Sequence, residues 1–236
     1  SSSVWRLNRQ AFTLYALARA GSPDVARSVT LFEVRDRLSI YAKALLATTM
    51  DMAGGGSMRI DTLVSDLLND VVISANGAHW EEGYRDWWNW NTSTRTTAMV
   101  LQTLIRFRPE SELIPNVVRY LMVARTADHW ETTQETAWAV MALTDWMVAS
   151  NELQGNYDFS LDFNGQTAIE GVVTPETVTK SQELVIKVAE MLQDEANMLV
   201  FNRGEGEGNL YYTAYLRQFL PVPEIQALDR GIILQR

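Results

Sequence analysis

The feature that most constrains this chain is a segment that occurs twice. His79-Trp80-Glu81 is followed by Thr96-Thr97-Ala98-Met99-Val100-Leu101, and His129-Trp130-Glu131 by Thr136-Ala137-Trp138-Ala139-Val140-Met141. Each copy runs from an aromatic loop, through a Thr-rich helix start, into an apolar helix. A unit of this kind cannot bury its apolar face alone, so the repetition predicts stacked helical hairpins.

Up to about residue 150 the apolar period is helical. Phe12, Leu14, Tyr15, Leu17 and Ala18 share one broad face of a first helix. Gly21 suits a C′ position, and Ser22-Pro23-Asp24 reads as N-cap, N1 and N2 of the next helix. That long helix carries Leu38, Tyr41, Ala42, Leu45 and Leu46 and is broken by Gly54-Gly55-Gly56. Asp61 reads as the cap of a helix bearing Leu63, Leu67 and Val71, which stops near Gly77. Beyond the aromatic loop, Val100, Leu101 and Leu104 mark a helix ended by Pro109. Leu113, Val117 and Leu121 mark another, and Ala137, Val140, Met141 and Val148 the last. An Ala-x5-Leu pattern (Ala11 to Leu17, Ala98 to Leu104, Ala137 to Leu143) places small residues where helices pack closely.

Beyond Asn151 the period becomes two. Phe159, Leu161 and Phe163 alternate with polar residues, and Asn164-Gly165 is a strong hairpin signal. Further alternation at Leu184, Ile186 and Val188, and at Leu199 and Phe201, predicts strands, as does the aromatic run Leu210 to Leu216. Helices followed by strands imply two units rather than one βαβ sheet. The boundary falls near residues 151–156, giving a helical unit over 1–152 and a strand unit over 153–236.

Composition excludes several chemistries. The chain has 236 residues and no cysteine, which removes disulfides, thiolate catalysis and Cys-ligated metals. The formal net charge is −9 and no Lys/Arg patch is visible in the sequence, so no nucleic-acid partner is expected. No apolar run approaches the ~20 residues that span a bilayer, and Ser1-Ser2-Ser3-Val4 does not read as a signal peptide.

The two histidines invite a metal reading. Equivalent positions on neighbouring hairpins lie about 8–10 Å apart, whereas metal–nitrogen bonds are near ~2 Å. Each His-Trp pair, His79-Trp80 and His129-Trp130, therefore reads as packing and capping a hairpin end, and no metal is assigned. Tyr84-Arg85-Asp86-Trp87-Trp88-Asn89-Trp90, beside Glu81 and Glu82, could line a sugar cleft with two carboxylates as acid and base, or could seal one end of the helical array. Gly204-Glu205-Gly206-Glu207-Gly208 lacks the Lys and following helix of a phosphate cradle and reads as a hairpin connection. No catalytic residue and no cofactor is assigned. His79, Trp80, Trp87, Trp88, Trp90, His129 and Trp130 are the candidates for a partner or ligand surface.

The chain resembles the thioester domain of the alpha-2-macroglobulin and complement family, in the form of its large bacterial members. The resemblance rests on Thr96-Thr97-Ala98, Val117-Val118-Arg119-Tyr120-Leu121, Ala124-Arg125 and His129-Trp130-Glu131-Thr132-Thr133-Gln134-Glu135-Thr136-Ala137. It continues through Asn151-Glu152-Leu153, Phe163-Asn164-Gly165, Gly208-Asn209-Leu210-Tyr211-Tyr212 and Asp229-Arg230-Gly231. It implies a multidomain fold, α then β: the later part of an α/α-toroid of helical hairpins, then the second half of a CUB-like antiparallel β-sandwich.

The resemblance further implies a protease inhibitor rather than an enzyme. Such a protein traps target proteases after bait cleavage, with the remaining macroglobulin domains of the same polypeptide as partners and a periplasmic or cell-surface location. The family's thioester comes from a Cys-Gly-Glu-Gln type motif. With no cysteine, this chain cannot form that bond; the resemblance implies either that the motif lies upstream of Ser1, the reading favoured here, or that the protein belongs to the bacterial branch that lacks it. The rival readings are a glycan-active α/α-toroid enzyme, or a binding module using the Trp80–Trp90 loop.

Overall fold

The computed structural model describes residues 3–212, 214 and 215. Seven α-helices lie among them: α1 (Val4–Arg19), α2 (Val25–Phe32), α3 (Ile40–Met52), α4 (Ser57–Asn69), α5 (Ser93–Phe107), α6 (Leu113–Val123) and α7 (Thr133–Ala149). Odd-numbered helices pack in series, α1 on α3, α3 on α5 and α5 on α7, while α2, α4 and α6 lie against those neighbours. The middle of the series is the most deeply packed. α3 buries Tyr41, Ala42, Ala44, Leu45, Leu46 and Ala47, and α5 buries an unbroken run from Arg95 to Leu101. Alanines at the contacts let the helix axes approach. α7, at the end of the series, buries only Glu135, Ala139 and Ala142.

Several boundaries differ from the sequence expectation, each for a local reason. The N-cap of α2 is Asp24, whose side chain accepts a hydrogen bond from the Arg27 N–H at 2.9 Å. Ser22 and Pro23 therefore precede the helix. The long helix expected next is two helices, because a 3-10 turn (Arg35–Arg37) interrupts it and α3 starts only at Ile40. α4 begins after Gly56 (φ 95°), so Asp61 lies inside it rather than capping it. It stops at Asn69, and a hairpin of β1 (Val72–Ser74) and β2 (Gly77–His79) follows in place of further helix. Gly77 is required there: its φ is 121°, and a Cβ would come within 2.2 Å of the Asn116 carbonyl oxygen. The Ala-x5-Leu register holds in α5, where Ala98 and Leu104 are buried. In α7 it is Ala139 that is buried, while Ala137 is exposed.

Beyond α7, β3 (Tyr157–Phe163), β4 (Gln166–Val173) and β5 (Leu199–Arg203) form an antiparallel sheet in the order β4-β3-β5. Asn164 and Gly165 join β3 to β4 with φ of 50° and 80°, the left-handed pair of a type I′ turn. The alternation at Leu184, Ile186 and Val188 forms no strand; a 3-10 turn (Val188–Glu190) starts there instead. Residues 210–212, 214 and 215 are not strand either. Thr213, Leu216 and Asp229-Arg230-Gly231 lie outside the described residues. Among the described residues this half is a single three-stranded sheet.

Candidate functional site

The repeated tryptophans do the same work in both copies. The Trp80 indole N–H donates to the Leu67 carbonyl near the end of α4 at 2.6 Å, and its backbone N–H to Thr97 Oγ1 in α5 at 3.1 Å. The Trp130 indole N–H donates to the Leu121 carbonyl near the end of α6 at 2.8 Å, and its backbone N–H to Thr136 Oγ1 in α7 at 3.1 Å. Each tryptophan thus donates to a last-turn carbonyl of the preceding helix, shared at Leu67 with the Asp70 N–H, and ties that helix end to the start of the next. Both rings are buried, Trp80 completely. They are clasps between hairpins and offer no surface to a ligand.

The histidines part company. His79 is buried, its ring stacked on Tyr120 with centroids 4.4 Å apart and planes within 2°, and its Nε2 lies 3.1 Å from Glu81 Oε1. His129 is exposed, with Nδ1 3.0 Å from Asp128 Oδ1, a contact that lowers the Asp128 carboxyl from its usual range. The two share no neighbouring ligand group. Among the described residues no three His, Asp or Glu side chains gather into a metal site.

Trp80 and its Thr97 partner lie 17 positions apart, Trp130 and Thr136 only 6. The extra chain in the first copy is the Trp loop, organised around the buried Asp86. Its carboxylate accepts from the backbone N–H groups of Trp88 (3.1 Å) and Asn89 (3.2 Å), and from the side-chain amides of Asn89 (2.6 Å) and Asn8 (3.2 Å). Glu82 sits at the start of α3, where it accepts from the N–H groups of Ile40 (3.2 Å) and Tyr41 (3.1 Å), and from the Thr96 hydroxyl (2.8 Å). It takes the capping role that Ser39 does not fill, because the Ser39 hydroxyl accepts from Asn8. Burial raises the Glu82 carboxyl, partly offset by these donors and by Arg95.

Arg95 extends under the loop, donating to the Asn89 carbonyl at 3.0 Å and lying over the Tyr41 ring. Burial lowers its pKa and raises that of the Tyr41 hydroxyl. Glu82 and Asp86, two of the three carboxylates a sugar cleft would use, are therefore occupied as caps and turn formers. Glu81 is the exposed one and pairs with His79. The clefts along α1 and α4 contain none of the three.

Trp87, Trp88 and Trp90 remain outside at 68%, 66% and 68% exposure. Trp88 stacks on Trp5 of α1 at 5.3 Å, and the Asn89 amide donates to the Trp5 carbonyl at 3.0 Å. Of the seven candidate residues, the structure brings Trp87, Trp88 and Trp90 together on one exposed loop. It buries His79, Trp80 and Trp130, and leaves His129 on the separate second copy.

A second polar site lies where the helices meet the strands. The buried Glu152 carboxylate accepts from the Asn209 backbone N–H at 3.1 Å, from the Asn209 side chain, and from the Tyr211 hydroxyl at 2.9 Å. The Trp146 indole N–H of α7 donates to the same hydroxyl at 3.3 Å. The Arg203 guanidinium donates to the carbonyls of Gly204, Gly206 and Gly208 and packs over Tyr157. The glycine-rich loop therefore wraps a cation with its carbonyls. Reading the sequence did not single out Glu152 and Arg203 for these roles, because their partners are scattered along the chain.

No protein-family model matches this sequence, and no curated protein matches it. Solved structures do. The chain resembles Salmonella alpha-2-macroglobulin reacted with methylamine, at 15% identity and a TM-score of 0.52, over 75% of this chain and 11% of that one. It is also similar to native Escherichia coli alpha-2-macroglobulin spanning domain MG7 to the C-terminus (15% identity, TM-score 0.48, 73% and 25% covered). A further match is Escherichia coli alpha-2-macroglobulin activated by porcine elastase (15% identity, TM-score 0.48, 75% and 15% covered). The chain spans about a tenth of the Salmonella protein, and at this identity the likeness is one of fold, shared with bacterial alpha-2-macroglobulins.

Proposed function

We propose that this chain is a part of a bacterial macroglobulin-type protease trap. In this reading residues 1–152 are the later hairpins of an α/α-toroid, and residues 153–236 the returning strands of a CUB-like sandwich. The observation that supports it most is the likeness of fold to the Salmonella protein over three quarters of the chain. The serial packing of odd-numbered helices, with the even-numbered ones against them, is what an arc of such a toroid requires. The segments around Glu152 and Asn209, which carry the resemblance in sequence, also bond to each other in space.

The role is mechanical rather than catalytic. Helical hairpins supply a rigid body, the Glu152 junction links it to the sheet, and the remaining domains of the same polypeptide supply bait and cage. The partners are target proteases, met in the periplasm or at the cell surface. With no cysteine, this chain itself forms no thioester. The test uses the whole polypeptide mixed with active trypsin. Cleavage of a small chromogenic substrate should persist while cleavage of a large protein substrate falls; free cleavage of both overturns the reading.

A further inference from the structure

The fold docks the loop that carries Arg85 on the start of α1, which carries Arg6 and Arg9. Arg6 and Arg9 lie one turn apart on α1, with guanidinium carbons 5.1 and 4.7 Å from the Trp5 ring centre. Arg85 lies 4.2 Å from the ring centre of Trp87. The Trp5–Trp88 stack sets the loop that carries Arg85 and Trp87 against the start of α1. All three arginines are exposed, and among the described residues none pairs with a carboxylate, in a chain whose net charge is −9. A guanidinium laid on an indole keeps its N–H edge free, and that edge matches a carboxylate in two-pronged fashion.

A concave feature adjoins this surface. Arg6 and Arg9 also border a cleft of about 350 Å³ beside α1, which Leu14 and Leu17 line with apolar surface. Arg27, on the same cleft, is held by Asp24 at 3.3 Å. The platform is set in advance: the buried Asp86 fixes the loop, and the Asn89 amide bonds it to α1.

We propose that this face docks an acidic segment of another polypeptide, one that carries apolar side chains between its carboxylates. The carboxylates would take the edges of Arg6, Arg9 and Arg85. An apolar side chain would enter the Leu14–Leu17 cleft, and the exposed indoles would cover the rest. Tryptophan and arginine are the residues on which protein interfaces concentrate their energy. A cleft whose floor is apolar and whose rim carries Arg6, Arg9, Gln10 and Thr13 suits a peptide that alternates apolar and acidic side chains. This inference does not rest on the protease-trap reading.

The test uses the full chain and a fluorescein-labelled eight-residue peptide alternating glutamate with leucine or phenylalanine, read by anisotropy. A peptide with lysine for glutamate is the control, and phosphatidylglycerol vesicles form a second arm read by sedimentation. The acidic peptide should bind, and the R6E/R9E/R85E variant should weaken it at least about tenfold, ~1.4 kcal/mol, with the melting curve unchanged. If that variant does not fold, R6Q/R9Q/R85Q should show the same direction of loss. The proposal fails if the acidic peptide does not bind, if the lysine peptide binds equally, or if binding survives loss of the charges. Sedimentation with vesicles at lower concentrations than peptide binding also overturns it, in favour of a membrane.

Discussion

The helical and strand halves of this molecule are stabilised in different ways. Among the described residues, every buried hydrophobic side chain but one lies at or before Ala142; the exception is Tyr157. Helices satisfy their backbone internally and are free to bring apolar faces together from any direction. Strands β3 to β5 satisfy one another, but the sheet leaves Val172, Leu199 and Val200 exposed. Among the described residues the contacts that hold this half in place are largely polar: the Glu152 carboxylate, the Arg203 loop and the Tyr157 hydroxyl on the Asn209 carbonyl at 2.9 Å, beside the Phe201–Tyr212 stack. One half is a core; the other is joined to it by a clasp.

The largest predicted effect breaks that comparison if it fails. Trp80→Ala removes a fully buried indole and its bond to α4, and should cost about 3–5 kcal/mol in chemical denaturation. Leu161→Ala in β3, only half-buried, should cost less than about 1.5 kcal/mol. Equal losses would mean that the strand half has a core of its own.

Glu152→Ala comes next. It leaves the Asn209 N–H and the Tyr211 hydroxyl without their acceptor, at about 1–3 kcal/mol. The loss should be local. Hydrogen exchange should accelerate over residues 204–212 while the amides of α3 and α5 stay protected. Uniform acceleration would show that the clasp supports the helices as well.

What could be read in the sequence depended on whether the determining contacts were local. The hairpin turn at Asn164-Gly165 and the helices marked by Val100, Leu101 and Leu104 were legible, because near neighbours specify them. The start of α3 was not: its cap comes from Glu82, some forty positions on, and no periodicity encodes that. The break between α2 and α3, the β1–β2 hairpin and the role of Asp86 were missed for the same reason. The doubled tryptophan was legible as a repeat that packs and caps hairpin ends, but its spacing does not reveal that the indole seeks a carbonyl in the preceding helix, so it also stood among the surface candidates. The docking of the Arg85 loop on α1 was hidden because Arg85 is distant in sequence from Arg6 and Arg9.

Smaller effects sharpen the comparison. Gly165→Ala puts a side chain at φ +80° with open space around it, so only backbone strain of about 1 kcal/mol is expected. It should appear in β3 and β4 amides alone. Glu82→Gln tests the helical half through pH. The folded-state pKa of Glu82 is raised, so its contribution is fully present below the ordinary glutamate range and is lost as pH rises through the folded value. Relative to the parent, the glutamine variant should gain stability in urea melts as pH rises above the ordinary glutamate range; a flat difference would show that the caps cancel the burial.

Trp90→Ala should have the smallest effect, and it separates burial from location. Trp90 follows Trp80 by ten positions, in the same loop and the same half, yet its ring is 68% exposed where Trp80 is fully buried. Its backbone carbonyl, which accepts from Arg95 at 3.4 Å, is retained in the variant. Alanine keeps the positive φ of 54° as a non-glycine residue would, so no new freedom enters the loop. The cost should stay within about 0.5 kcal/mol, against several for Trp80→Ala. If Trp90→Ala instead destabilises by more than about 2 kcal/mol, its ring is covered in solution, and a second copy or another segment must be supplying the cover.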